Sequence, residues 1–182
     1  GGLIEFDHLA KQDNGFVGEF TEEETNILLA KAKNVKILIR DVITFYRERA
    51  EKEMPTLKKT RSGTPANFHY GSMGGFMTLV QAQQNLDSMV LLYPNLITPK
   101  DSLGVTAQGR PIYLYKISDN PSLEEPEEHK NLFTALHHAR EPQSLAQLVY
   151  FMWYLLENYN SSDSVIKHMV NDRALYFVPI VN

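Results

Sequence analysis

The residues with the most chemistry in them lie together. His137, His138, Arg140 and Glu141 stand within the run Leu136-His137-His138-Ala139-Arg140-Glu141-Pro142. His138 and Glu141 have the spacing H-x-x-E, and neutral imidazole and carboxylate are both zinc ligands. A catalytic zinc held there calls for a third protein ligand and keeps one position for water, whose pKa it lowers while polarising a carbonyl. Arg140, between the two, offers a planar fork for a carboxylate or a carbonyl oxygen. Spacing alone leaves alternatives open. On composition, about half an H-x-x-E pair arises by chance. His137 and Glu141, four apart, are a second candidate pair. Nor is a metal required, since the histidines can bond to backbone at a strand end while Glu141 caps a helix and meets its dipole. On a strand, His137 and His138 point to opposite faces, so one of them is expected to face the site.

The elements that must position this run follow from pattern. Asn131–His137 reads as a strand and Pro142–Tyr159 as a helix, with Pro142 in the first turn, where its missing N–H costs nothing. The run thus sits at the C-terminal end of a strand, where α/β folds place their sites. Ala174–Val181 is apolar on both faces, as a strand covered on two sides must be. Ser102–Thr106 and Pro111–Ile117 read as strands joined through Gln108-Gly109. Thr78 and Gln81 form a capping box. They open a helix with the face Leu79, Ala82, Leu86, Met89 and Val90, which Tyr93-Pro94-Asn95 ends. Ser162 or Asp163 begins a shorter helix. The expected fold is α/β, a mixed or mostly parallel sheet flanked by helices.

Upstream the pattern is smaller. Gly15–Phe20 is a short extended candidate. Thr21 and Glu24 form another capping box, opening a helix to about Lys33. Val35–Ile39 reads as a strand, and Asp41 as the cap of a second helix carrying Val42, Phe45, Tyr46 and Arg49. Residues 54–75, with Pro55, Gly63, Pro65, Gly71, Gly74 and Gly75, have little periodicity. The expected organisation is a small α/β unit over 1–53, a linker over 54–75, and a larger domain over 76–182.

Composition excludes several classes. Of 182 residues, 43% are hydrophobic and 22% charged, which is a globular balance. The longest apolar stretch, Leu148–Leu156, is half a membrane span and reads as a buried helix. A net charge of −4 gives no reason to expect nucleic acid. Residues 31–61 are locally basic and include Lys58-Lys59-Thr60-Arg61, an exposed linker open to trypsin-like proteases. With no cysteine there is neither a disulfide nor a thiolate metal site within the chain. The chain begins Gly1-Gly2, consistent with a removed leader or an internal fragment.

The heptapeptide at 136–142 resembles the zinc-binding signature of the carboxypeptidase A/B-like metallocarboxypeptidases, in which His-x-Arg-Glu follows a strand. Two further stretches resemble that family in order and spacing: Ser102–Ile112 with its Gly-Arg turn, and Tyr176–Asn182. The resemblance covers residues of about 70–182. It implies that His138 and Glu141 hold zinc and that Arg140 binds substrate, and so decides the register against His137. It implies hydrolysis of C-terminal peptide bonds, with peptide or protein C-termini as partners. The third ligand, the general base and the remaining substrate contacts would come after Asn182, from the C-terminal part of the same polypeptide. On this reading the chain is the N-terminal part of an enzyme and inactive alone. The unit at 1–53 resembles, more loosely, a procarboxypeptidase activation domain. The arrangement is most similar to secreted bacterial members. A deacylase or peptidoglycan peptidase of the same fold and a non-catalytic binding module are the alternatives. His168 is expected to be a solvated surface residue, and Glu157 to face water or cap a neighbour.

Overall fold

A computed structural model describes residues 9–57 and 63–182, the side chains of residues 50 and 53–57 excepted. The basic run Lys58-Lys59-Thr60-Arg61 lies outside the described residues. The chain divides into two compact units, Gly1–Arg49 and Ala50–Asn182.

In the first unit, β1 (Ala10–Gln12) and β2 (Gly15–Val17) form an antiparallel hairpin. The helix α1 (Glu22–Lys31) starts at the expected capping box: Thr21 accepts from the Glu24 N–H at 3.2 Å, and Glu24 accepts from the Thr21 N–H at 2.8 Å. This bond and that of the Thr21 hydroxyl hold the Glu24 carboxyl below its usual pKa. Asp41 caps α2 (Val42–Leu57), which begins in this unit and runs past its end at Arg49, through the Thr44 N–H at 2.9 Å. The expected strand Val35–Ile39 does not form. Among the described residues no strand lies alongside to pair with it, and Leu38 is 62% exposed. The expected end of α1 is also two residues long, because Ala32 already caps the helix in extended conformation. None of the described side chains of this unit is buried.

The second unit carries the core. Its elements are α3 (Leu79–Leu92), β3 (Asp101–Val105), β4 (Pro111–Ile117), β5 (His129–Thr134), α4 (Pro142–Asn158), α5 (Ser164–Asn171) and β6 (Arg173–Val178). The sheet order is β3-β4-β6-β5. β4 runs antiparallel to β3 and β6, while β5 runs parallel to β6, so the sheet is mixed. The β3–β4 turn closes on Gly109, whose φ of 74° is the left-handed conformation that glycine adopts without cost.

α4 packs its apolar stripe on the sheet. Leu145, Leu148, Val149, Met152, Trp153, Leu155 and Leu156 are all buried, at the helical spacing of a core face. Phe133 of β5 and Phe177 of β6 stack with centroids 5.1 Å apart, and Phe151 of α4 sits edge-on to Phe133 at 5.5 Å. These contacts fix α4 against the parallel pair β5–β6, and so fix the connection between β5 and α4. At the far end of α4, Glu157 accepts from the backbone N–H groups of Ala66 and Asn67 at 2.6 and 2.8 Å. It therefore caps a neighbouring segment, one of its two expected roles. His168 is exposed and pairs with Asp172.

Candidate metal centre

The run 135–141 is shaped by a break in the strand. β5 ends at Thr134, three residues short of the expected His137. Leu136 then adopts φ 52°, the single positive φ among described non-glycine residues. That left-handed conformation costs a branched side chain roughly 1–3 kcal/mol and persists only where its surroundings hold it. Here they do. The Leu136 N–H donates to the Ser144 Oγ at 3.0 Å, and the Leu136 carbonyl accepts from the Asn182 N–H at 3.1 Å. Its side chain packs against the core. Just before it, Ala135 donates to the Val178 carbonyl and accepts from the Val181 N–H, at 3.1 and 3.2 Å. His137 and His138 therefore lie beyond the strand, so the opposite-faces argument does not apply to them. The turn changes their directions instead.

The turn closes when the Glu141 N–H donates to the His138 carbonyl at 3.0 Å. Glu141 is the N-cap residue of α4, followed by Pro142 in the first turn, as expected. Its carboxylate makes no capping hydrogen bond, so the side-chain cap that the metal-free alternative expects of Glu141 is not made. His138 and Glu141 are both exposed, on one four-residue turn, and among the described residues neither side chain has a hydrogen-bond or ion-pair partner. An imidazole nitrogen and a carboxylate oxygen left uncommitted in this way fit a zinc site's donor set. Arg140 lies on the same turn, exposed, with its own interaction.

The hydroxyl of Ser144 joins the two ends of the turn: it accepts from Leu136 and donates to the Glu141 carbonyl at 2.9 Å. Neither Ser144 nor the amides of Val181 and Asn182 carry a sequence signal, because their role arises from tertiary juxtaposition.

Among the described residues one group of three acidic side chains could also hold a cation. Asp119, Glu125 and Glu128 bring carboxylate oxygens within 4.8 Å of one another. They follow β4, whose last residue Ile117 pairs with Leu175 in the first half of β6, whereas the His138–Glu141 turn follows the pairing of Thr134 with Val178 at the other end of that strand. All-oxygen sites suit hard cations better than zinc. The ammonium of buried Lys116 already lies near these acids and acts on Glu128. Burial, then the Glu125 carboxylate, pushes the Glu128 carboxyl above its ordinary pKa, and its Oε2 has no partner. An acid whose pKa rises on folding costs stability while ionised, and that cost disappears once pH falls below its unfolded value. Glu128→Gln should therefore raise the melting temperature at pH 7 by roughly 2 °C and change nothing at pH 3. Thermal melts at the two pH values check this; a lower melting temperature at pH 7 would contradict it.

Residues 82–182 match the family model for zinc carboxypeptidase. The chain belongs to the zinc carboxypeptidase family. It is 31% identical over 108 residues to a zinc carboxypeptidase of Saccharothrix mutabilis subsp. capreolus, covering 59% of this chain and 24% of the relative. The chain thus spans about a quarter of that relative's length. Its fold resembles a crystal structure of thrombin-activatable fibrinolysis inhibitor, with a TM-score of 0.58 at 17% identity, covering 91% of this chain and 38% of that one. A carboxypeptidase A from Helicoverpa armigera matches at a TM-score of 0.56 and 16% identity, over 88% of this chain and 37% of that one. The expected α/β fold class stands, and the matched residues include the whole turn from Leu136 to Glu141.

Proposed function

We propose that the polypeptide carrying this segment is a zinc-dependent metallocarboxypeptidase, in which His138 and Glu141 are two of the zinc ligands and Arg140 helps hold substrate. The observation that carries the reading is Glu141. It occupies a helix N-cap yet leaves its carboxylate uncapped, beside an uncommitted His138, in a chain of the zinc carboxypeptidase family. Zinc, when bound, supplies a Lewis acid that acidifies a water and polarises the scissile carbonyl. The remaining work belongs to the protein. His138 and Glu141 present one neutral and one anionic donor from a turn braced at both ends. Arg140 offers a fixed fork of donors to the carboxylate of a peptide C-terminus or to a substrate carbonyl. The third ligand and the general base come from parts of the domain that this chain does not include, so the 182 residues alone are expected to be inactive.

Peptide and protein C-termini are accordingly the proposed substrates, and zinc the proposed cofactor. Among the described residues, no helix is long and apolar enough to cross a membrane. Action outside the cell is part of the same reading and rests on resemblance to secreted members. We also read residues 1–53 as an activation-domain-like unit, supported by the small hairpin and two helices at that place in the chain. Neither the deacylase or peptidoglycan peptidase alternative nor the binding-module alternative is favoured by the matched family.

The test uses the polypeptide with its complete domain and two peptides of one sequence, with a free or an amidated C-terminus. Release of the last residue is expected from the free acid, with about a 100-fold loss on amidation, because the anion that an arginine would pair with is gone. Dialysis against a zinc chelator should abolish turnover, and added zinc should restore it. Equal cleavage of both peptides, or full activity after zinc removal, would overturn the reading.

A further inference from the structure

Leu136 stands in a conformation that leucine avoids, and its position is the hinge between β5 and the His138–Glu141 turn. One hydroxyl binds the two sides of that hinge. Ser144 Oγ accepts from the Leu136 N–H at 3.0 Å and donates to the Glu141 carbonyl at 2.9 Å. The Ser144 N–H also points to the Glu141 carbonyl, at 3.3 Å. Alanine is the better helix former at such a place, so helix propensity does not account for a serine there. Nor does helix capping, since Asn-, Asp- or Ser-type caps act from the residue before the helix, which here is Glu141.

We propose that Ser144 is a positioning residue for the metal centre: its hydroxyl locks the left-handed Leu136 and the Glu141 carbonyl into one loop, and so holds the His138 and Glu141 side chains in the register that a shared ion needs. This inference rests on His138 and Glu141 being zinc ligands. Two properties of the bridge single it out from ordinary packing. It is the link between the first and last residues of the turn that is made by a side chain rather than backbone. It also holds the Leu136 N–H, while the Asn182 amide holds only the carbonyl on the other side. Without the hydroxyl, Leu136 keeps one of its two backbone anchors and can relax toward ordinary φ. Such a rotation would swing His138 relative to the helix-bound Glu141.

The readout is zinc affinity, measured on the complete-domain polypeptide by competition with a chromophoric chelator, and not activity alone. Ser144→Ala is expected to raise the zinc dissociation constant about 10-fold, the lower end of what losing an outer-shell partner costs. Ser144→Thr, which keeps the hydroxyl, should stay within about threefold of wild type. Ser144→Val has the shape of the threonine variant without the hydroxyl, so the Thr–Val pair isolates the hydrogen bonds even if alanine disturbs the helix start. Equal zinc constants for the threonine and valine variants would overturn the proposal, as would wild-type affinity in Ser144→Ala. His138→Ala keeps the two ideas apart. If that variant binds zinc as wild type does, the ligand assignment itself fails. If it loses zinc while all Ser144 variants keep it, the ligands stand and the positioning role falls.

Discussion

Replacing His138 by alanine is expected to weaken zinc binding by at least about 100-fold, because even an outer-shell partner of a metal ligand is worth 10–100-fold. A direct ligand contributes a coordinate bond that water in its place does not match. His137→Ala serves as the internal control and should leave affinity within about threefold. The two histidines are adjacent, both are exposed, and they differ in how the turn uses them. The His137 carbonyl is approached by the Asn182 Nδ2 at 3.4 Å, on the side where β6 runs on, whereas the His138 carbonyl takes the amide of Glu141 itself. His138 and Glu141 therefore share one closed turn. Zinc stoichiometry and chelator competition on the two variants decide the register. Zinc loss in His137→Ala with retention in His138→Ala would reverse it.

Trp153→Ala is expected to cost about 4 kcal/mol of stability. Trp153 is 1% exposed and among the largest fully buried side chains of the core. Its indole N–H donates to the Asn85 Oδ1 at 3.1 Å, tying α4 to α3, and Tyr93 meets it edge-on at 6.3 Å. Truncation leaves a cavity too large for neighbours to fill and an amide oxygen without its donor, which adds to the loss. Trp153→Phe should retain most of the packing and lose roughly 1–2 kcal/mol. Trp153 is also the chain's sole tryptophan, so unfolding has to be followed by far-ultraviolet circular dichroism rather than tryptophan emission. A shift in the urea midpoint no larger than that of a surface variant would contradict the assignment of Trp153 to the core.

Local signals were legible wherever the chain alone sets the outcome. Both capping boxes, at Thr21 and Thr78, form as their sequences imply, because cap and N3 residue lie within one turn. Pro142 starts α4 and Asp163 caps α5 for the same reason. The apolar stretch Leu148–Leu156 announces a buried helix, and its residues Leu148, Val149, Met152, Trp153, Leu155 and Leu156 are buried in α4. What failed depended on distant partners. Val35–Ile39 has strand-like composition, yet a strand exists only where another presents its backbone, and none of the described residues does so. The overlong end of β5 has a related cause. Ala135 and Leu136 continue the mostly apolar run from Phe133, but the Ser144 hydroxyl and the Asn182 amide hold Leu136 out of extended conformation. For the site, the residue types and spacing named His138, Arg140 and Glu141 without deciding between His138 and His137. Family resemblance chose the register. The brace around the turn could not be read at all, since its members lie up to 46 residues from Leu136.

That separation has a consequence for how the protein is made. The base of the turn is stitched to the amides of Val181 and Asn182, and β5 pairs with β6 across the whole of α4 and α5. A ribosome adding about 5–20 residues per second emits His138, Glu141 and Ser144 several seconds before Val181 and Asn182, whose amides complete the brace. During that interval the two side chains sit on a half-braced turn, and pairing parallel strands so far apart is itself slow. A nascent chain is thus poorly arranged to seize an ion early, and metal loading becomes a late event that follows closure of the β5–β6 pair.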